Sequence, residues 1–114
     1  MNRYSDVTEG VEGFTVVVYA DNARASVLPR GELDLASAGE LESTLSGLRG
    51  QGFKFVQVDL GGITFMDTAG LNVLLREHQA FQARHGRLIL RNPSRQARRL
   101  LHVTATMDVL SVAD

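Results

Sequence analysis

Cysteine is absent from the 114 residues, so disulfides, thiolate nucleophiles and cysteine-based zinc sites are excluded. Net charge is almost absent too. The 12 basic side chains meet 13 acidic ones, and a formal charge of -1 gives no overall field to gather nucleic acid or an anionic membrane. Aromatic residues are few, five Phe and two Tyr, which leaves little with which to stack bases. No apolar run approaches the roughly 18 residues of a membrane-spanning helix. The opening Met1-Asn2-Arg3-Tyr4-Ser5-Asp6 lacks the apolar stretch of an export signal. These absences predict a cytoplasmic location, no membrane insertion and no direct nucleic-acid contact.

What is present is patterned apolar sequence, 44% of the chain, in a length that suits one domain with one core. Residues 1–12 are polar and marked by glycine, and are expected as a flexible N-terminal segment or an edge extension, ahead of a domain over 13–114. Phe14 to Tyr19 is β-branched and aromatic, hence a strand. Asp21-Asn22 is a turn, and Ala23 to Arg30 returns as the second arm of a hairpin, with Pro29 marking an irregular or exposed segment. Ser37 and Glu40 have capping-box spacing ahead of an apolar helix face of Ala38, Leu41, Leu45 and Leu48, which ends at Gly50 and Gly52. Phe53 to Leu60 reads as a strand buried in part on both faces. Gly61-Gly62 is a turn, and Ile63, Phe65 and Met66 continue apolar beyond it. A helix from Thr68 to about Arg84 places Leu71, Leu74, Leu75, His78 and Phe81 on one face, with Gly86 as its C-cap. Leu88, Ile89 and Leu90 form a short strand. Ser94 caps a third helix faced by Ala97, Leu100 and Leu101, and Val109, Leu110 and Val112 make a last strand or helix end. This alternation predicts an α/β domain, a mixed β-sheet packed with α-helices.

The stretch from Val58 to Leu71 carries the chemistry. A strand runs through a turn into a helix, with one hydroxyl, Thr68, at the junction and Asp67 just before it. At the N-cap, Thr68 would accept a free N–H of the first turn. Phosphorylation there would add about 1.5 to 2 negative charges, which the helix dipole favours and Asp67 opposes. Ala69 and Gly70 are small and would leave the hydroxyl approachable, with Gly70 admitting a partner backbone. Gly61-Gly62 lacks the spacing and the Gly-Lys-Ser/Thr ending of a phosphate-cradling loop.

Two motifs make the chain resemble the STAS domain family, in particular the small bacterial anti-sigma factor antagonists. One is Gly31-Glu32-Leu33-Asp34 followed by Ala38 and Leu41. The other is Val58-Asp59-Leu60 through Phe65-Met66-Asp67-Thr68-Ala69-Gly70-Leu71. The segment from Gly86 to Ser94, then Leu100-Leu101, matches in order and spacing, so the resemblance spans roughly residues 14–112. It implies that Thr68 is the phosphorylated residue. The kinase would be the partner itself, an anti-sigma factor with a histidine-kinase-like ATP-binding fold. The unphosphorylated protein would sequester that partner and release a sigma factor, and a phosphatase acting on phosphorylated Thr68 would reset it. Glu32, Asp34, Asp67, Ala69, Gly70, Leu71 and Asn72 would border the partner-binding face. The protein would have no catalysis or cofactor of its own and would be a monomer or weak homodimer. The resemblance extends to a rival role, a STAS accessory subunit of a bacterial lipid-transport ABC system. Thr68 stands where Ser is commoner, Ala69 where Ser is frequent and Asn72 where Gly is common; the hydroxyl chemistry survives all three.

Other polar groups point to no site. His78, His85 and His102 lie on separate elements or seven positions apart, without a carboxylate at ligand spacing. Asp34, Asp59 and Asp67 do not suggest the tight open cluster that Mg²⁺ requires. Arg91, Arg95, Arg98 and Arg99 form a basic patch that reads as a solvated helix face.

Overall fold

The computed structural model describes residues 3–113; Met1 and Asn2 of the expected N-terminal segment lie outside the described residues. In chain order the elements are Arg3–Val11 (β1), Phe14–Asp21 (β2), Arg24–Leu33 (β3), Ala38–Gly50 (α1), Phe55–Asp59 (β4), Ile63–Met66 (β5), Thr68–Ala83 (α2), Arg87–Arg91 (β6), Arg95–Val103 (α3) and Ser111–Ala113 (β7). The sheet order is β1-β2-β3-β4-β6-β7, and β5 pairs with β3 off that path. The first three strands form an antiparallel meander; β4, β5, β6 and β7 join by parallel pairing. This is the mixed α/β architecture that alternating strands and helices predict.

Alternation decides which sheet face is covered. Phe14, Val16, Val18 and Ala20 on β2, Ala25 and Val27 on β3, Val56 and Val58 on β4, and Leu88 and Leu90 on β6 are all buried. Leu41, Leu45 and Leu48 of α1, Leu74 and Phe81 of α2 and Leu101 of α3 belong to the same core. The other face of β4 is not buried as its apolar run suggests. Phe55 stays 41% exposed, with Arg24 stacked 5.7 Å from its ring centre.

Pro29 does mark an irregularity, though it is itself buried. Arg24–Val27 of β3 pair with β4, whereas Gly31–Leu33 pair with β5. Pro29 sits where β3 passes from one parallel neighbour to the other, so its missing N–H falls in a gap of the ladder. Two helix ends also differ from expectation. Ser37 stands at the start of α1 but does not cap it. Its hydroxyl, buried at 1% exposure, donates to the Glu32 carbonyl at 2.6 Å and accepts from Asp34 N–H. At the end of α2 the left-handed residue is His85 (φ 60°), not Gly86. Gly86 is instead pressed against Lys54, where a Cβ would meet the carbonyl oxygen at 2.5 Å.

α1 and α2 are joined by an ion pair at the edge of the core. Arg49 donates to both oxygens of Glu77 at 3.3 and 3.2 Å, and the Glu77 side chain is only 5% exposed. Among the described residues, no helix is long and apolar enough to cross a membrane.

Candidate functional site

Gly31 opens the site. Its φ of +110° and the closeness of the Gly13 carbonyl leave no room for a side chain, and its N–H bonds to Gly62 O at 3.0 Å. β3 then runs beside β5, with Glu32 opposite Phe65 and Leu33 opposite Met66. One residue further, Asp67 N–H bonds to Leu33 O at 3.2 Å. The loop after β3 and the start of α2 are thus held side by side.

Asp67, not Thr68, is the N-cap of α2. Its backbone is extended and its Oδ1 accepts from Ala69 N–H at 2.9 Å and Gly70 N–H at 3.4 Å. Thr68 is the first helical residue, and its side chain is exposed. The change matters chemically. Asp67 already occupies the first-turn donors, so the Thr68 hydroxyl is displayed outward rather than folded back onto the helix.

Gly70 is buried and its size serves the chain's own packing, not a partner backbone. A Cβ there would lie 2.6 Å from Leu33 Cγ. Leu71 is core at 4% exposure, and Ala69 packs partly against the core. Asn72 is exposed one turn beyond Thr68, and Glu32 is exposed at the end of β3. Asp34 is half-buried; its Oδ1 accepts from Ala36 N–H at 3.0 Å and Ser37 N–H at 3.2 Å. It therefore shapes the loop from β3 to α1. Of the eight residues the sequence singles out, Glu32, Thr68 and Asn72 are exposed, Asp34, Asp67 and Ala69 are partly exposed, and Gly70 and Leu71 lie beneath.

Three further residues belong here. Leu35 is 83% exposed in the loop after Asp34, and Phe65 is 42% exposed on β5. Both lie on the segments that the Asp67–Leu33 bond holds side by side, and exposed large apolar groups mark a surface that a partner can cover. Strand alternation from buried Ile63 would turn Phe65 inward; the register shift between the Gly31–Ile63 and Glu32–Phe65 pairs reverses this and exposes it, which no local pattern announces. Gln96, from α3, bonds to the backbone of Met66; nothing local in sequence pairs residues thirty positions apart.

Among the described residues, no three His, Asp or Glu side chains gather as a metal site. His78 is buried on α2, while His85 is exposed in the turn after α2 and His102 is exposed on α3. Within the basic patch, Arg91 donates to Gln57 at 3.0 Å and Arg98 is half-buried and engaged by other groups.

The family profile described as the STAS domain matches residues 18–114. The anti-sigma-B factor antagonist of Staphylococcus epidermidis is 30% identical over 82 residues, covering 72% of this chain and 76% of that protein. The structure of an anti-sigma factor antagonist from Mycobacterium paratuberculosis superposes with a TM-score of 0.79 at 19% identity, over 87% of this chain and 84% of the other. The anti-sigma factor antagonist SpoIIAA of Bacillus, in its unphosphorylated form, gives 0.70 at 20% identity, over 97% and 89%. Both structures share the fold.

Proposed function

Because this chain belongs to the STAS family, we propose that it is an anti-sigma factor antagonist whose partner-binding face is switched by phosphorylation of Thr68. The observation that carries this reading is the exposed hydroxyl at the first turn of α2, standing outside an Asp67 cap that has already taken the Ala69 and Gly70 N–H groups. A phosphate on Thr68 would find those donors occupied and a carboxylate beside it. Its added charge would be projected into the surroundings instead of being neutralised by the helix.

The partner is an anti-sigma factor with a histidine-kinase-like ATP-binding fold, which supplies both the ATP and the phosphoryl transfer. In the unphosphorylated state Leu35 and Phe65 enter the interface as apolar anchors, with Glu32, Asp34, Asp67 and Asn72 at its polar rim. Binding sequesters the anti-sigma factor and releases its sigma factor in the cytoplasm. After phosphorylation the same contact would bury an uncompensated charge next to Asp67, which favours dissociation. A phosphatase acting on phosphorylated Thr68 restores the binding form. The chain contributes recognition and an acceptor hydroxyl, without turnover of its own.

Capture of partners from the native host on the unphosphorylated protein, followed by addition of Mg²⁺ and ATP, tests the reading. Recovery of a kinase-like ATPase that places one phosphate on Thr68 and then releases the bait is the expected result. Recovery of an ABC ATPase with its membrane subunit would overturn it and assign the chain to transport.

A further inference from the structure

β5 is paired along only one edge. It meets β3 through Gly31–Leu33, and among the described residues no strand flanks its other side. Asp67 N–H points to Leu33 O at 3.2 Å, so by strand alternation the N–H and C=O of Met66 point away from β3. Met66 is 1% exposed, and peptide groups buried without partners are costly. Gln96 supplies both partners. Its Oε1 accepts from Met66 N–H at 2.7 Å, and its Nε2 donates to Met66 O at 2.9 Å. One side-chain amide thus replaces a peptide unit of a missing strand.

The place of this clamp is what makes it functional. Met66 is followed by the cap Asp67 and then by Thr68, so three successive residues are fixed or displayed by different elements. α3 holds Met66, β3 holds Asp67, and Asp67 in turn orders the first turn of α2. We propose that Gln96 is a positioning residue for Thr68: its two-bond grip on Met66 fixes the strand end that presents the acceptor hydroxyl, and so makes the position of α3 a determinant of phosphorylation. This inference rests on the reading of Thr68 as the acceptor.

Amide chemistry makes the requirement narrow. Only a planar group with one acceptor and one donor matches a peptide edge. A Glu at 96 keeps the acceptor for Met66 N–H, but its ionised carboxylate faces the Met66 carbonyl with no proton to give. An Asn is one methylene short of the same reach. Leu or Met fills space and satisfies neither group.

The test compares wild type with Gln96→Glu, Gln96→Asn and Gln96→Met. Two readouts are taken, amide hydrogen exchange of the isolated protein and phosphoryl transfer to Thr68 by the kinase-like partner captured above. The expected result is exchange at Met66 faster by about tenfold in Gln96→Met, the scale of one lost hydrogen bond, with an intermediate effect in Gln96→Glu. Exchange in β2 and β4 should rise less than at Met66, and the melting temperature should fall by several degrees, the scale of one or two unsatisfied buried peptide groups. The kcat for Thr68 phosphorylation should fall by a similar factor, with KM nearly unchanged. Unaltered exchange at Met66 would overturn the clamp. Faster exchange with wild-type kcat would overturn the positioning role and leave a purely local bond. If wild-type Thr68 accepts no phosphate from any captured partner, the functional reading fails, and the positioning of an acceptor falls with it, while the exchange data still report whether the clamp exists.

Discussion

Gly70 of α2 lies directly on Leu33 of β3, close enough that a Cβ would stand 2.6 Å from Leu33 Cγ and 3.0 Å from its carbonyl oxygen. Leu33 is fully buried and cannot turn away. A Gly70→Ala substitution should therefore destabilise the fold by about 1–3 kcal/mol through overpacking. Helix propensity alone would favour Ala by about 1 kcal/mol, so even the sign of the change distinguishes the two effects. Urea unfolding measures it, and a more stable variant would show that the backbone accommodates the methyl.

Thr68 is exposed, so substitutions there should leave stability within about 0.5 kcal/mol and act on binding. Thr68→Ala is expected to bind the partner as wild type does but accept no phosphate. Thr68→Glu should weaken binding by about tenfold or more, because the interface would bury an added charge without a counter-ion. Calorimetric titration of the two variants with the captured partner reads the difference. Equal affinities would rule out a charge-driven switch.

Leu35 and Phe65 should behave as anchors. Replacing either with Ala is expected to reduce affinity by about 2 kcal/mol if it fills a pocket on the partner, with little loss of fold stability. Partner binding by Leu35→Ala at wild-type strength would remove that residue from the interface.

The Arg49–Glu77 pair makes an asymmetric prediction. Glu77 is the more deeply buried member. Arg49→Met should strand its charge between α1 and α2 and cost about 3 kcal/mol at neutral pH, the lower end for a broken buried pair, since Arg49 remains 23% exposed. Glu77→Gln keeps an acceptor for the guanidinium and should cost less. Thermal melts of both variants and the double mutant give the coupling between them.

Much of the frame is legible in local sequence because local physics determines it. Ala38, Leu41, Leu45 and Leu48 recur with helical spacing and all four are buried on α1. Ser94 caps α3, accepting from Ala97 N–H at 3.3 Å, as its place after Asn92-Pro93 suggests. The expectation failed where two local signals competed. Ser37 has the spacing of a cap, yet the Glu32 carbonyl and Asp34 N–H offer its hydroxyl closer partners. Asp67 and Thr68 can each cap a helix, and the bond from Asp67 N–H to Leu33 O sets the register that awards the role to Asp67. Gly86 resembles a C-cap, but its contact with Lys54 claims it for packing and leaves His85 the left-handed turn.

The remaining features of the site are products of topology. Leu35 is apolar in a loop, and only the folded β3–α1 connection shows it uncovered. Gln96 is an unremarkable polar residue on an amphipathic helix until β5 is placed next to it. β5 itself reads as a continuation of the preceding apolar run, because nothing within Gly61-Gly62-Ile63 announces that the chain will change neighbours.

That change of neighbours at Pro29 divides the domain energetically. β5 is attached to β3 and gripped by one side chain of α3, while the β3–β4–β6–β7 ladder closes without it. Opening the β3–β5 pairing would break none of that ladder's hydrogen bonds, though it would uncover Ile63 and Met66 of the core. If Thr68 carries the proposed phosphate, the mark would sit on an arm whose attachment is separate from the large sheet, so a change there need not disturb the β3–β4–β6–β7 ladder.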